Sequence, residues 1–170
     1  MSMRARAGLL VVLCLLMGAC GYRWQGFDDP AVGSVIGDGS KTLKIDRVEQ
    51  SSMFPWVPYY LRSLIRDEVN LRKLARWVDS GDADYTMTVR MPSFQIRSYA
   101  SDAEDVTLLN AATVRLEIVI ADGTTGDVVW RSGVVAYSEN YENTRESVAI
   151  REVLAQAVYR VLDRMQQQDF

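Results

Sequence analysis

Residues 41 to 48 set Leu43, Ile45 and Val48 among Thr42, Lys44 and Asp46, the period-two alternation of a half-buried strand. The period then changes. From Tyr59 to about Leu74, Leu61, Leu64, Ile65 and Leu71 recur at spacings near three and four, with Arg62, Arg66, Asp67 and Arg72 elsewhere on the turn. That spacing predicts an amphipathic helix, entered through Pro55 and Pro58. Asp79, Ser80, Gly81 and Asp82 make a turn, after which Tyr85, Met87, Val89 and Met91 alternate with Thr86, Thr88 and Arg90. Past Pro92 and Ser93, Phe94 and Ile96 alternate with Gln95 and Arg97. The pattern reads as one long strand bent or bulged at Pro92 and placed at a sheet edge, because proline donates no ladder hydrogen bond. Residues 100 to 110 read as a loop. Val114, Leu116, Ile118 and Ile120 alternate with Thr113, Arg115 and Glu117, turn residues run from Asp122 to Asp127, and Val128 to Tyr137 returns as the second strand of a hairpin. Asn143 and Glu146 have capping-box spacing, and Ile150, Leu154, Ala157, Val158, Val161, Leu162 and Met165 then trace one helical face.

Both helices must bury an apolar stripe and each strand has one apolar side. The economical arrangement is an α+β two-layer sandwich, two helices on one face of a four-stranded sheet, in the order β-α-β-β-β-α. One domain spanning residues 41–168 is expected, with the opposite sheet face left for solvent or a partner.

The first nineteen residues follow a different pattern. Arg4 and Arg6 precede an apolar run from Ala7 to Met17, and Gly18 and Ala19 lead into Cys20. This is the layout of a signal peptide over residues 1–19. Eleven apolar residues fall well short of the roughly 20 that span a bilayer, and no second run of that length follows. Residues 20–40, with Gly26, Gly33, Gly37, Gly39 and Pro30, read as a tether. Its rings Tyr22, Trp24 and Phe27 suit packing on the domain or a place at headgroup level.

Composition narrows the chemistry. The 170 residues include no histidine, which removes Ser-His-Asp, Cys-His and His-rich zinc chemistry. Of the two cysteines, Cys14 lies in the segment to be removed, so no disulfide is expected. Without Arg4 and Arg6, 17 basic residues face 22 acidic ones, and nucleic acid is an unsuitable partner. Asp79, Asp82 and Asp84 lack the spacing of a calcium loop, and Met87 and Met91 read as core filler. With the apolar side of each strand turned to the helices, the other side displays Lys44, Arg90, Arg115 and Arg131 with Thr86, Thr88, Thr113 and Tyr137. Only Asp46 and Glu117 oppose them. Guanidinium forks match phosphate and carboxylate, so this face is the candidate for a ligand or partner; a plain solvated sheet face is the alternative.

Met17-Gly18-Ala19-Cys20 resembles the lipobox of bacterial lipoproteins, with Met17 where leucine is usual. The resemblance implies that Cys20 becomes the first residue of the mature protein and carries acyl chains, the only cofactor-like group expected. Gly21, where an aspartate would imply retention at the inner membrane, points to the outer one. Cys20-Gly21-Tyr22, the tether, the order of elements, Tyr141 and the closing helix from Ser147 to Met165 together resemble the LptE family of lipopolysaccharide-assembly lipoproteins. That resemblance implies a non-enzymatic, periplasm-facing protein of the outer membrane that plugs the LptD barrel and assists lipopolysaccharide insertion. Its partners would be the barrel, lipopolysaccharide and the membrane reached by the lipid anchor. An adaptor or structural subunit of another envelope complex would use the same anchor and fold.

Overall fold

The structure is a computed structural model that describes residues 34–37, 39–99, 109–142 and 145–167. The signal segment, Cys20, the rings of the tether and Asn143 lie outside the described residues. The elements are β1 (Thr42–Gln50), α1 (Val57–Leu71), β2 (Arg76–Trp77), β3 (Tyr85–Tyr99), β4 (Leu109–Asp122), β5 (Val128–Arg131), β6 (Val135–Glu142) and α2 (Glu146–Gln167).

They form a six-stranded mixed sheet in the order β2-β1-β3-β4-β5, with β6 also on β4. β1 pairs in parallel with β2 and β3, so the chain must cross over between β1 and β3, and α1 supplies the crossover. The β3–β4 ladder is antiparallel and joins Tyr85 to Asp122 at one end and Tyr99 to Leu109 at the other. The four-stranded sheet and its β-α-β-β-β-α order are corrected in two places. A short edge strand, β2, follows α1. The returning strand read as Val128 to Tyr137 breaks into β5 and β6, which lie end to end along β4. Ser132 causes the break: its hydroxyl accepts the Ile118 N–H at 2.9 Å and donates to the Gly133 carbonyl at 2.6 Å, while Gly133 adopts φ 65°.

Two further boundaries moved. β4 starts at Leu109, inside the stretch read as a loop. β3 is an interior strand rather than an edge, because its ladder tolerates Pro92 at a bulge between Arg90 and Ser93.

Both helices cover the same sheet face. Val57, Leu61, Ile65 and Val69 of α1 are buried, and so is the α2 stripe from Ala149 to Met165. They share one core with Leu43, Ile45, Met87, Val89, Met91, Val114, Leu116, Ile118 and Ile120. Each fully buried large aliphatic side chain contributes roughly 1.5–3 kcal/mol. Met87 and Met91 are core, as their spacing implied. Ile36, within the stretch read as tether, is buried too, and Val35 donates its N–H to the Met165 carbonyl. Among the described residues no helix is long and apolar enough to cross a membrane.

Candidate functional site

The open face is built by the outward positions of β1, β3, β4 and β6. A bulge at Asp46 sets its composition near β1: Ile45 pairs with Met87, but Arg47, not Asp46, pairs with Thr88. The extra residue reverses the alternation, turning Val48 toward the core and Arg47 and Glu49 outward.

Two of the four predicted cations are committed within the fold. Lys44 donates from Nζ to the Gly81 carbonyl at 2.7 Å, tying β1 to the 79–84 turn. Arg90 lies between Glu49 at 3.1 Å and Glu117 at 3.6 Å. Arg47 in turn bridges Asp46 at 3.6 Å and Glu49 at 3.5 Å, so this part of the face is a closed network of alternating charge. Two of the three aspartates of the 79–84 turn are also occupied. Asp79 accepts the Trp77 Nε1–H, and Asp84 accepts the Thr42 N–H and hydroxyl at 2.8 Å each. Those Thr42 hydrogen bonds, backbone first, hold the Asp84 carboxyl below its ordinary pKa of 3.8.

The register separates the four cations. Along β4, Arg115 stands two residues from Glu117, the partner of Arg90, and four from Val119, which pairs with Arg131. Lys44 is level with Thr86 and Ala121, six residues from Arg115 and therefore ~20 Å along the strand. They do not form one cluster. Arg131 sits at the sheet edge by the β5–β6 break, beside Trp130, Ser132 and Arg164; Arg164 donates to the Ser132 carbonyl at 2.9 Å. Tyr137 leaves the face altogether. It points to the helices, where the Arg160 guanidinium lies 4.6 Å from its ring centre and its hydroxyl donates to Glu139.

What remains is the half of the face where β3 and β4 run past the bulge at Pro92. Ser93, Gln95, Arg97, Thr113 and Arg115 line a shallow depression of about 340 Å³, with no carboxylate among them. Ser93 pairs with Arg115, Gln95 with Thr113, and Arg97 with Ala111, which places all of them on the outer side. Arg97 donates to Gln95 Oε1 at 3.2 Å, and the Thr113 and Ser138 hydroxyls are 2.9 Å apart. Arg115 has no ion pair or hydrogen bond from its side chain among the described residues. The set offers two guanidinium forks, hydroxyls and an amide, which suits an anion rich in acceptor oxygens. Arg97 was missed as a member, although the alternation past Pro92 already placed it opposite Phe94 and Ile96.

No protein-family model matches the chain, and no curated protein matches it. Solved structures share the fold. A Helicobacter pylori protein described as a neuraminyllactose-binding hemagglutinin homolog is 13% identical, with a TM-score of 0.51 over 85% of this chain and 88% of the other. A protein from Caulobacter crescentus CB15, described as a lipoprotein, is 13% identical with a TM-score of 0.51 over 71% of this chain and 88% of the other. Rare lipoprotein B from Shewanella oneidensis is 15% identical, with a TM-score of 0.45 over 74% and 96%. At these identities the first two likenesses are of fold alone.

Proposed function

We propose that the protein is a non-enzymatic outer-membrane lipoprotein, anchored through acyl chains on Cys20, that plugs and supports an LptD-type β-barrel and assists lipopolysaccharide insertion into the outer leaflet. The observation that carries this reading is the half of the open face where, among the described residues, Arg97 and Arg115 meet no carboxylate, on a chain that is acidic overall. A phosphate-bearing glycolipid or an acidic barrel wall meets such a surface favourably, whereas the paired half around Arg90 has little charge left to offer. The lipobox-like segment ending at Cys20 supports anchoring, and the Caulobacter crescentus protein of similar fold is itself described as a lipoprotein. More than one acyl chain is needed for stable anchoring, since each buried methylene contributes only about 0.8 kcal/mol.

Two measurements test the reading. Mass spectrometry of the protein from native membranes should find acylated Cys20 as its first residue; an unprocessed or unacylated start rejects the anchor. Purification of the tagged full chain in mild detergent should bring down a large heat-modifiable β-barrel, and depletion should cause lipopolysaccharide accumulation and drug sensitivity. Recovery of a different envelope complex, without a barrel and without those defects, would favour the adaptor reading instead.

A further inference from the structure

The two edges of the sheet are unlike. At one edge β2 is only two residues long, and a strand so short offers little for another chain to pair with. At the other, beyond β5, β6 presents eight residues, ~27 Å of backbone. It pairs with β4 alone, and among the described residues no other backbone meets its outer row of N–H and C=O groups. Val135–Glu142 holds neither proline nor lysine, the residues that most often guard such a row. Val134, just ahead of it, is 54% exposed.

The helix beside this edge gives it a polarity. Glu152, Gln156, Arg160 and Arg164 follow at four-residue spacing and form one ridge of α2. Arg164 reaches the Ser132 carbonyl and Arg160 lies on the Tyr137 ring, while Glu152 lines the same depression as Glu139. Tyr137 and Glu139 pair with the buried Val114 and Ala112, so both face the helix side. From the β5–β6 break onward, that side therefore carries two guanidinium groups and then two carboxylates, with Arg145 beyond them at the start of α2. Arg160, Arg164, Glu139 and Glu152 make no ion pair among the described residues. A row that is positive at one end and negative at the other complements itself when a copy of it runs antiparallel, which is the arrangement of a twofold dimer.

We propose that β6 is the contact of a homodimer, in which a second copy of this chain adds its own β6 antiparallel and the two sheets become one. The twofold axis stands perpendicular to the sheet, so both sets of helices lie on one face and residues that meet share a face. The longest pairings are centred on Ser138, joining residues 135–141, or on Glu139, joining residues 136–142. The second sets Glu139 directly against its own copy, and like charges so placed are destabilising. The first sets Tyr137 against Glu139 of the partner subunit and covers Val134. The α2 ridges then run antiparallel beside the strands, with Arg160 and Arg164 of each copy facing Glu139 and Glu152 of the other. Arg97 and Arg115 remain on the open face, so the inference goes beyond the function proposed above and does not depend on it.

Sedimentation equilibrium of the purified full chain in density-matched detergent should give a dimer. Arg160→Glu and Glu152→Arg each set like charges across the axis and should weaken association at least tenfold. An equimolar mixture of the two variants should restore it, because every reversed charge then meets its opposite. Ser138→Cys needs no change of charge: under mild oxidation it should link two chains, since directly opposite residues bring their Cα atoms within disulfide range. Thr125→Cys, in the exposed hairpin turn, and the parent chain should stay unlinked under the same treatment. A parent chain that sediments as a monomer at its highest soluble concentration, a mixture no tighter than its components, or equal linkage of Thr125→Cys and Ser138→Cys would each overturn the dimer. None of these results bears on the anchor or the barrel.

Discussion

The two halves of the open face are made from the same kinds of residue and end in opposite electrostatic states. Near β1, Arg47 and Arg90 are interleaved with Asp46, Glu49 and Glu117, and every charge has a partner. Past the Pro92 bulge, Arg97 and Arg115 stand among Ser93, Gln95 and Thr113 with no acid to meet among the described residues. Exposed pairs of this kind contribute only ~0–1 kcal/mol each, so the first half is not there chiefly for stability. Its effect is to cancel potential. The second half leaves its potential uncancelled, and a surface that keeps unpaired guanidinium groups is the one equipped to receive an anion.

The strongest perturbation should erase the contrast by damaging what lies beneath both halves. Leu116 is fully buried where α2 packs on β4, and Leu116→Ala should cost roughly 2–5 kcal/mol, seen as a fall in the urea midpoint. Amide exchange should then speed up in both halves together; loss confined to one half would show that they are not a single cooperative unit. Glu49→Gln should be milder. Arg90 keeps only Glu117, stability should drop by about 0.2–1 kcal/mol, and the β1 half should acquire weak affinity for anionic glycolipid micelles that the parent half lacks. Arg115→Gln, which removes a cation with nothing to lose, should leave stability within about 0.5 kcal/mol. A larger loss would reveal a structural partner.

Smallest of all is the effect of acid. The Asp84 carboxyl has a folded pKa below 3.8, so the support it gives through Thr42 is in place above that value. It is lost as the pH falls through the lower folded pKa. The Thr42 amide resonance should therefore titrate with a midpoint under 3.8, and a midpoint at or above it would contradict the hydrogen bond. The Arg97–Arg115 half has no carboxylate in its lining and should hold its resonances through the same range.

Much of this architecture was legible. The α2 stripe and Met87, Val89, Met91, Val114, Leu116, Ile118 and Ile120 follow the period-3.6 and period-two patterns and are buried, while Ile96, past the Pro92 bulge, is exposed. Several of the misreadings share one cause, which is that alternation cannot reveal an inserted residue. At Asp46 the bulge turned Glu49 outward, and the acid that neutralises Arg90 went uncounted. Between β5 and β6 the Ser132 hydroxyl took the place of a ladder contact, which no run of valines and aromatics announces. Tyr137 changed faces across that break. Two residues, Arg76 and Trp77, are too few to carry a strand pattern at all; they pair because Arg76 donates its N–H to the Lys41 carbonyl and Val78 to that of Leu43. For the site, residue type was readable and neighbourhood was not, since Arg90 and Arg115 look alike until the ladder register shows which one has an acid alongside.

The central claim is that the Arg97–Arg115 half, not the sheet face as a whole, receives the anionic group. It is tested most directly by measuring lipopolysaccharide binding across salt for two charge-matched variants of the full chain, Arg97→Gln with Arg115→Gln, and Lys44→Gln with Arg90→Gln. The first should lose at least tenfold in affinity and most of its salt dependence, while the second stays within about twofold of the parent. Equal losses in both, or none in the first, would contradict the account.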